Sequence, residues 1–163
     1  MHIGICSDSH DHVSNAENAA NYFRQEETGL VIHAGDYCSP FIIGCFENLP
    51  LHGIFGNNDG DRTTIAKKFE QIGATLHGDF FSFSENNVRF AVYHGTYPEI
   101  TESLIAGGKY DVVISGHTHK PSIDTIGGCM HINPGSIHGF DGDGMVALFD
   151  TSTRNVRFKE LND

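Results

Sequence analysis

Three short apolar runs, Ile3-Gly4-Ile5-Cys6, Leu30-Val31-Ile32 and the stretch from Leu51 to Phe55, each stop at a polar cluster, and a helix-compatible segment separates each from the next. Runs of this length, bounded by Gly, Asp and Asn, are strand-sized. Strand–helix alternation of this kind implies parallel strands joined by right-handed crossovers. A parallel sheet gathers the carboxyl ends of its strands along one edge, where the following loops can share a ligand.

In detail, residues 2–7 read as a strand, and a helix is expected over 14–26 with Ser14 as N-cap ahead of Glu17. A second strand covers 30–33. A helix over 39–48 has Ser39 as N-cap and Pro40 at its first position. The third strand, 51–55, precedes a helix over 62–72 that stops near Gly73. Beyond residue 80 the pattern changes. Phe80 to Ser84 and Val88 to Tyr93 flank Asn86-Asn87, which predicts a hairpin. A helix over 98–106 leads into Tyr110 to Ile114, an apolar run of the kind buried on both faces. Short strands near 122–126, 129–132, 144–150 and 154–158 follow. The expectation is one α/β domain over residues 1–163, with two packed mixed β-sheets flanked by helices.

The polar clusters at the strand ends are Asp8-Ser9-His10, Gly35-Asp36, Gly56-Asn57-Asn58-Asp59, Tyr93-His94-Gly95 and Gly116-His117-Thr118-His119. Asp8 and His10 alternate, as do His117 and His119, so each pair can face one point. Seven candidate metal ligands result: Asp8, His10, Asp36, Asn57, His94, His117 and His119. Seven exceed one tetrahedral shell and suit two ions that share a carboxylate. Imidazole and oxygen donors without thiolate fit Mn²⁺, Ni²⁺, Fe²⁺, Zn²⁺ or Co²⁺ better than Ca²⁺.

Composition narrows the function classes. A net charge of −11 argues against non-specific binding to nucleic acid. Eleven histidines are the unusual count, and histidine is among the commonest metal ligands. The four cysteines form no C-x-x-C pair, so free thiols in a reducing compartment are expected. No apolar stretch approaches the ~18 residues of a membrane span. The amino terminus has no basic region and reads as a strand rather than a signal peptide. A cytoplasmic protein with no membrane association is the expectation.

The ordered set Asp8-x-His10, Gly35-Asp36, Gly56-Asn57-x-Asp59, His94-Gly95 and Gly116-His117-x-His119 resembles the five-motif signature of calcineurin-like metallophosphoesterases. The opening Ser7-Asp8-Ser9-His10-Asp11-His12 and the late Asn133-Pro134-Gly135-Ser136 resemble the compact YfcE-type branch, including its archaeal phosphodiesterases. The resemblance runs from about residue 2 to residue 150. It implies one divalent ion on Asp8, His10, Asp36 and His119 and a second on Asp36, Asn57, His94 and His117, with Mn²⁺ or Ni²⁺ first among the candidates. It also implies hydrolysis of small phosphate esters by in-line attack of a metal-bridging hydroxide, and a homo-oligomer, dimer or tetramer.

Two departures stand out. Asn58 occupies a position where many relatives carry a histidine that acts as general acid, and Asn cannot protonate a leaving group. Asn58 is therefore the candidate catalytic residue only as an amide donor to phosphate, and Asp59 becomes a loop-structuring residue. Thr96 replaces another histidine common after His94-Gly95. The nearest cations to any cluster are Arg62 and Lys120, which favours singly charged diesters over monoester dianions. The retromer scaffold subunit resembles the same fold but lacks key ligands, so a protein-binding scaffold is the alternative reading.

Other residues divide between bland and functional readings. His33, inside a strand, reads as a hydrogen-bonded core residue. His12 either reaches substrate phosphate or sits in a surface loop. Ser136 is a candidate substrate contact, with His138 just beyond it. His2, His52, His77 and His131 read as structural.

Overall fold

The computed structural model describes residues 1–140 and 142–161. In chain order the elements are β1 (His2–Cys6), α1 (Val13–Gln25), β2 (Leu30–His33), a 3₁₀ helix (Pro40–Phe46), β3 (Leu51–Gly53), α2 (Arg62–Gln71), β4 (Thr75–Leu76), β5 (Phe80–Glu85), β6 (Val88–Tyr93), α3 (Pro98–Ala106), β7 (Val112–Ile114), β8 (Ser122–Ile126), β9 (Cys129–Asn133), β10 (Gly144–Asp150) and β11 (Val156–Leu161). They form two mixed sheets, ordered β11-β10-β1-β2-β3-β4 and β5-β6-β7-β9-β8. β1 to β4 are mutually parallel, as are β6, β7 and β9, while β10 and β11 close the first sheet antiparallel.

Period-2 alternation assigns the side chains to layers. Ile3 and Ile5 of β1, with Ile32 of β2, face Phe90, Val92, Val112, Ile114 and Ile132 of the other sheet in a dry inter-sheet core. Cys6 and Val31 point the other way, onto Phe23 of α1, Phe46 of the 3₁₀ helix and Phe69 of α2. Val113 and Ala91 meet Ile105 of α3 on the far side. The order of layers is helix, sheet, sheet, helix. Each of these large aliphatic or aromatic side chains contributes about 1.5–3 kcal/mol by leaving water.

Three local expectations are corrected. The N-cap of α1 is His12, whose Nδ1 accepts from Asn15 N at 3.2 Å; Ser14 lies within the first turn. The segment after Ser39 is 3₁₀ rather than α-helical, closed by a Glu47 N–H donating to Gly44 O. Two turns containing a glycine offer little to favour the wider α-helix. Ser39 makes no side-chain cap; its N–H and hydroxyl both donate to the Asp11 carboxylate, at 2.8 and 2.9 Å. β4, two residues long, was not foreseen. The hairpin matches expectation, with Asn86 and Asn87 both at positive φ (50° and 60°) as a type I′ turn requires. Among the described residues no helix is long and apolar enough to cross a membrane.

Candidate metal centre

Because β1, β2 and β3 are parallel and in register, the loops after Cys6, His33 and Gly53 leave the first sheet at one edge. The loops after Tyr93 and Ile114 leave the second sheet likewise, since Val92 pairs with Ile114. Backbone bonds then tie the loops together. Asp8 N donates to Gly35 O at 3.0 Å, His10 N to Asp36 O at 3.2 Å, His138 N to Asp8 O at 3.1 Å and Gly116 N to His94 O at 2.8 Å.

The loop backbone is held in an uncommon state. Asp8, His10, Asp36, His117 and His119 all have positive φ, between 40° and 68°. Non-glycine residues avoid this region, and Asp, Asn and His tolerate it best. Such conformations persist where the surroundings over-determine them, and they cluster at functional sites. Glycines allow the approach of the loops. A Cβ on Gly56 would run into the Asp36 carboxylate, and one on Gly116 into Ser7 Oγ and the Asp8 carboxylate. Asp59 completes the frame, accepting from the backbone N–H groups of Asp36, Tyr37, Cys38 and Gly56 at 2.7–3.0 Å.

The donors converge. His119 Nε2 lies 3.3 Å from Asp8 Oδ1, and His10 Nε2 lies 3.8 Å from it. Asp36 Oδ2 sits between His10 Nε2 at 3.5 Å and His94 Nε2 at 3.3 Å. Asn57 Oδ1 is 3.1 Å from His94 Nε2, and the His117 ring centroid is 5.3 Å from that of His94. Donors bonded to one ion at about 2.0–2.2 Å are separated from each other by about 3–3.5 Å, close to the 3.1–3.8 Å between the donors here. The orientation also suits ligation: His94 Nδ1 bonds to Ala34 O at 2.7 Å, which aims Nε2 at the carboxylates.

Electrostatics agree with a cation site. Burial pushes the Asp8 carboxyl up, but the facing imidazoles of His10 and His119 and the nearby His94 outweigh it and hold Asp8 well below the usual range. Asp36 is buried too, and its bonds with His94 and Asn58 lower it. Burial disfavours charge on His94, yet Asp36 and Asp8 raise its pKa. Asp8 Oδ1 and His10 Nε2 are buried without a hydrogen-bond partner. Buried polar atoms are rarely left so, and a divalent ion between them satisfies both. The residues fit the group.

Donor atoms of Asp8, His10, Asp36, Asn57, His94 and His119 are thus brought together, with the His117 ring against that of His94. Asn58 is also at the site, but both its backbone N–H and its Nδ2 donate to Asp36, at 2.8 and 2.7 Å. Thr96 Oγ1 reaches Asn57 Oδ1 at 3.4 Å. Ser136 is buried and lines a cleft beside His119. His12 is engaged as the α1 cap. His33 is a core residue, as expected, bonded to Ser9 Oγ at 2.5 Å.

Three further contributors have roles that the sequence did not specify, although Asn133 lies in the motif noted above and His138 stands just beyond Ser136 as a weaker candidate. His138 is buried, with Nε2 at 3.1 Å from His119 Nδ1 and its ring edge-on to His10 at 4.8 Å. Asn133 donates from Nδ2 to Gly116 O and Thr118 Oγ1, at 2.7 and 3.0 Å, holding the His117–His119 loop. Cys38 Sγ lies 3.4 Å from His10 Nδ1, and burial together with the surrounding carboxylates pushes its thiol up to about 12.

Residues 1–154 match the calcineurin-like phosphoesterase superfamily domain. The chain belongs to that family. Its members use divalent metals, which agrees with the donors described above. A phosphodiesterase of Methanocaldococcus jannaschii is 37% identical over 161 residues, covering 96% of this chain and 97% of that protein. A probable metallophosphoesterase of Methanothermobacter thermautotrophicus is 35% identical over 147 residues, covering 83% of this chain and 77% of that one. Among solved structures, a novel archaeal phosphodiesterase superposes with a TM-score of 0.94 at 36% identity, covering 99% of this chain and 100% of that one. The phosphoesterase YfcE of E. coli, at 16% identity and a TM-score of 0.72 over 99% of this chain and 100% of its own, shares the fold.

Proposed function

We propose that the chain is a cytoplasmic dinuclear phosphodiesterase acting on small phosphate esters, with Mn²⁺ or Ni²⁺ as its ions. The observation that carries this reading is the pair of donor sets meeting at Asp36 Oδ2, beside two buried atoms that lack partners. Asp8, His10, Asp36 and His119 would hold one ion, and Asp36, Asn57, His94 and His117 the other. When bound, two such ions supply a water of lowered pKa and neutralise charge on a phosphoryl group.

The chain's own residues set the rest. Asp36 reaches His10 and His94 more closely than Asp8 does, so it would lower the repulsion between two cations held on either side of it. Asn58 Nδ2, which donates to Asp36 Oδ2 at 2.7 Å, is the amide that would turn to a phosphate oxygen were Asp36 engaged as a metal ligand. Asn58 carries no acidic proton, so leaving groups that depart without protonation are favoured. General acid catalysis is worth ~10²–10⁴-fold where it operates. The relatives reported above include an archaeal phosphodiesterase, which supports diesters as the substrate class.

Purified chain with Mn²⁺ or Ni²⁺ is expected to hydrolyse bis(p-nitrophenyl) phosphate, and Asp36→Asn to lose both turnover and bound metal. Absence of turnover with every divalent ion, despite bound metal, would overturn the enzyme reading. Unchanged metal content in Asp36→Asn would overturn the bridging role. A Vps29 protein of Entamoeba histolytica shares the fold at 16% identity and a TM-score of 0.72, covering 99% of this chain and 100% of its own. A protein-binding scaffold is therefore the second reading, and the same assay separates the two.

A further inference from the structure

A cleft of about 390 Å³ opens beside the metal centre and shares Asn57 and His94 with it. Its other walls include Phe55, Arg62, Tyr93, Tyr97 and Ile100. Three of these are aromatic, and the arginine is held as a fourth flat surface. The Arg62 guanidinium lies 4.5 Å over the Phe55 ring and pairs with Asp79 at 2.8 Å. Its charge is therefore matched within the chain, and its plane is left for stacking. Tyr93 is fixed as well, its hydroxyl accepting from Tyr97 N at 3.1 Å. At the mouth, Tyr97 and Ile100 are 62% and 44% exposed, large apolar side chains that no other part of the described chain covers.

The cleft on the opposite, His119 side differs. It is lined by Thr118, Lys120, Pro121, Ser136 and Met145 and has no aromatic wall. A diester carries two organic arms; among the described residues Phe140 packs on His138 beyond the His119-side cleft without lining it, whereas the Asn57-side cleft is itself walled by three aromatic rings that can stack on a planar arm. We propose that this cleft binds the planar aromatic arm, of nucleobase size, of a phosphodiester whose phosphoryl group lies at the metal centre. The preferred substrates are then aryl or nucleoside esters rather than alkyl esters. The proposal rests on the phosphoesterase reading above. Aromatic rings stack on aromatic and guanidinium faces with little dependence on ring identity, so the cleft selects for planarity.

The test uses the Mn²⁺-loaded chain and two probes that share a phosphonate head and differ in one group, benzylphosphonate and ethylphosphonate. Calorimetry is expected to show benzylphosphonate binding about tenfold more tightly, the scale of one ring stacking on one aromatic side chain. In Tyr97→Ala that preference should fall below about twofold, with ethylphosphonate affinity unchanged as evidence of an intact fold and metal centre. Equal binding of the two probes by the unaltered chain would overturn the cleft assignment and leave the phosphoesterase reading standing. So would a preference that survives in both Tyr97→Ala and Ile100→Ala. If Tyr97→Ala dissociates an oligomer while the probe ratio stays the same, the face is an interface between copies and the proposal fails. No metal-dependent binding of ethylphosphonate, with no ester hydrolysed, would sink the underlying reading itself.

Discussion

Asn58 donates to Asp36 twice, once from its backbone and once from its side chain. The sequence marks it as a non-acid at a position where an acid is common, while the structure shows what occupies the amide before substrate arrives. Asn58→His is expected to raise kcat/KM on alkyl esters at least about tenfold more than on nitrophenyl esters, since protonation helps only poor leaving groups. An equal change on both would show that this position does not govern departure. His138 acts one residue further out. Its bond to His119 and edge contact with His10 fix two of the rings that face Asp8. Partners that orient ligands are worth about 10–100-fold in metal affinity, so His138→Ala should weaken Mn²⁺ binding by that factor in a calorimetric titration. Affinity unchanged by the substitution would assign His138 to packing alone. The seven candidate ligands were legible as candidates because residue type and strand-end position single them out. Cys38 was not, and for Asn133 and His138 only nearness to the site was, because the partner of a single Cys, Asn or His is declared only by what folds against it.

At the scale of elements, the loops that carry the candidate ligands are short, tightly crossed and left-handed in backbone at Asp8, His10, Asp36, His117 and His119. Gly116 shows how little room remains, since a methyl there meets Ser7 and Asp8. Gly116→Ala is expected to destabilise the chain by about 1–3 kcal/mol in denaturant unfolding and to reduce metal binding with it. Wild-type stability and affinity in that variant would mean that the loops can separate at no cost. Strands with a clear apolar run and helices with spaced apolar residues were legible from periodicity. β4 was missed because Thr75-Leu76 is too short to show a period. The 3₁₀ helix was read as α because Ile42, Ile43 and Phe46 suit either pitch. The α1 cap was misplaced by two residues because His12, seldom a cap, is held there by the loop that presents His10.

The whole molecule is two sheets back to back, with His33 at the junction of core and site. Gly35 N donates to His33 Nδ1 at 3.3 Å, so the ring is neutral and its Nε2–H faces Ser9 Oγ. Burial lowers its imidazole from 6.5 to about 3. Below pH 6.5 the unfolded chain binds a proton that the native chain refuses, so this contribution is fully present above 6.5 and is lost as pH falls toward 3. The slope is up to about 1.4 kcal/mol per pH unit. Unfolding free energies measured from pH 7 to 4 should fall less steeply in His33→Asn than in the parent chain. Parallel pH profiles would remove His33 as the source. By itself the sequence determined which residues are candidate donors, the parallel order of β1, β2 and β3, and the absence of an acidic side chain at Asn58, because residue chemistry and periodicity are local properties. Only the tertiary structure decided that Asp36 lies between His10 and His94, that His138 backs His119, and that an aromatic cleft flanks Asn57. Those depend on which loops meet when two sheets stack, and that meeting is set by the inter-sheet core, whose residues lie far from the site in the chain.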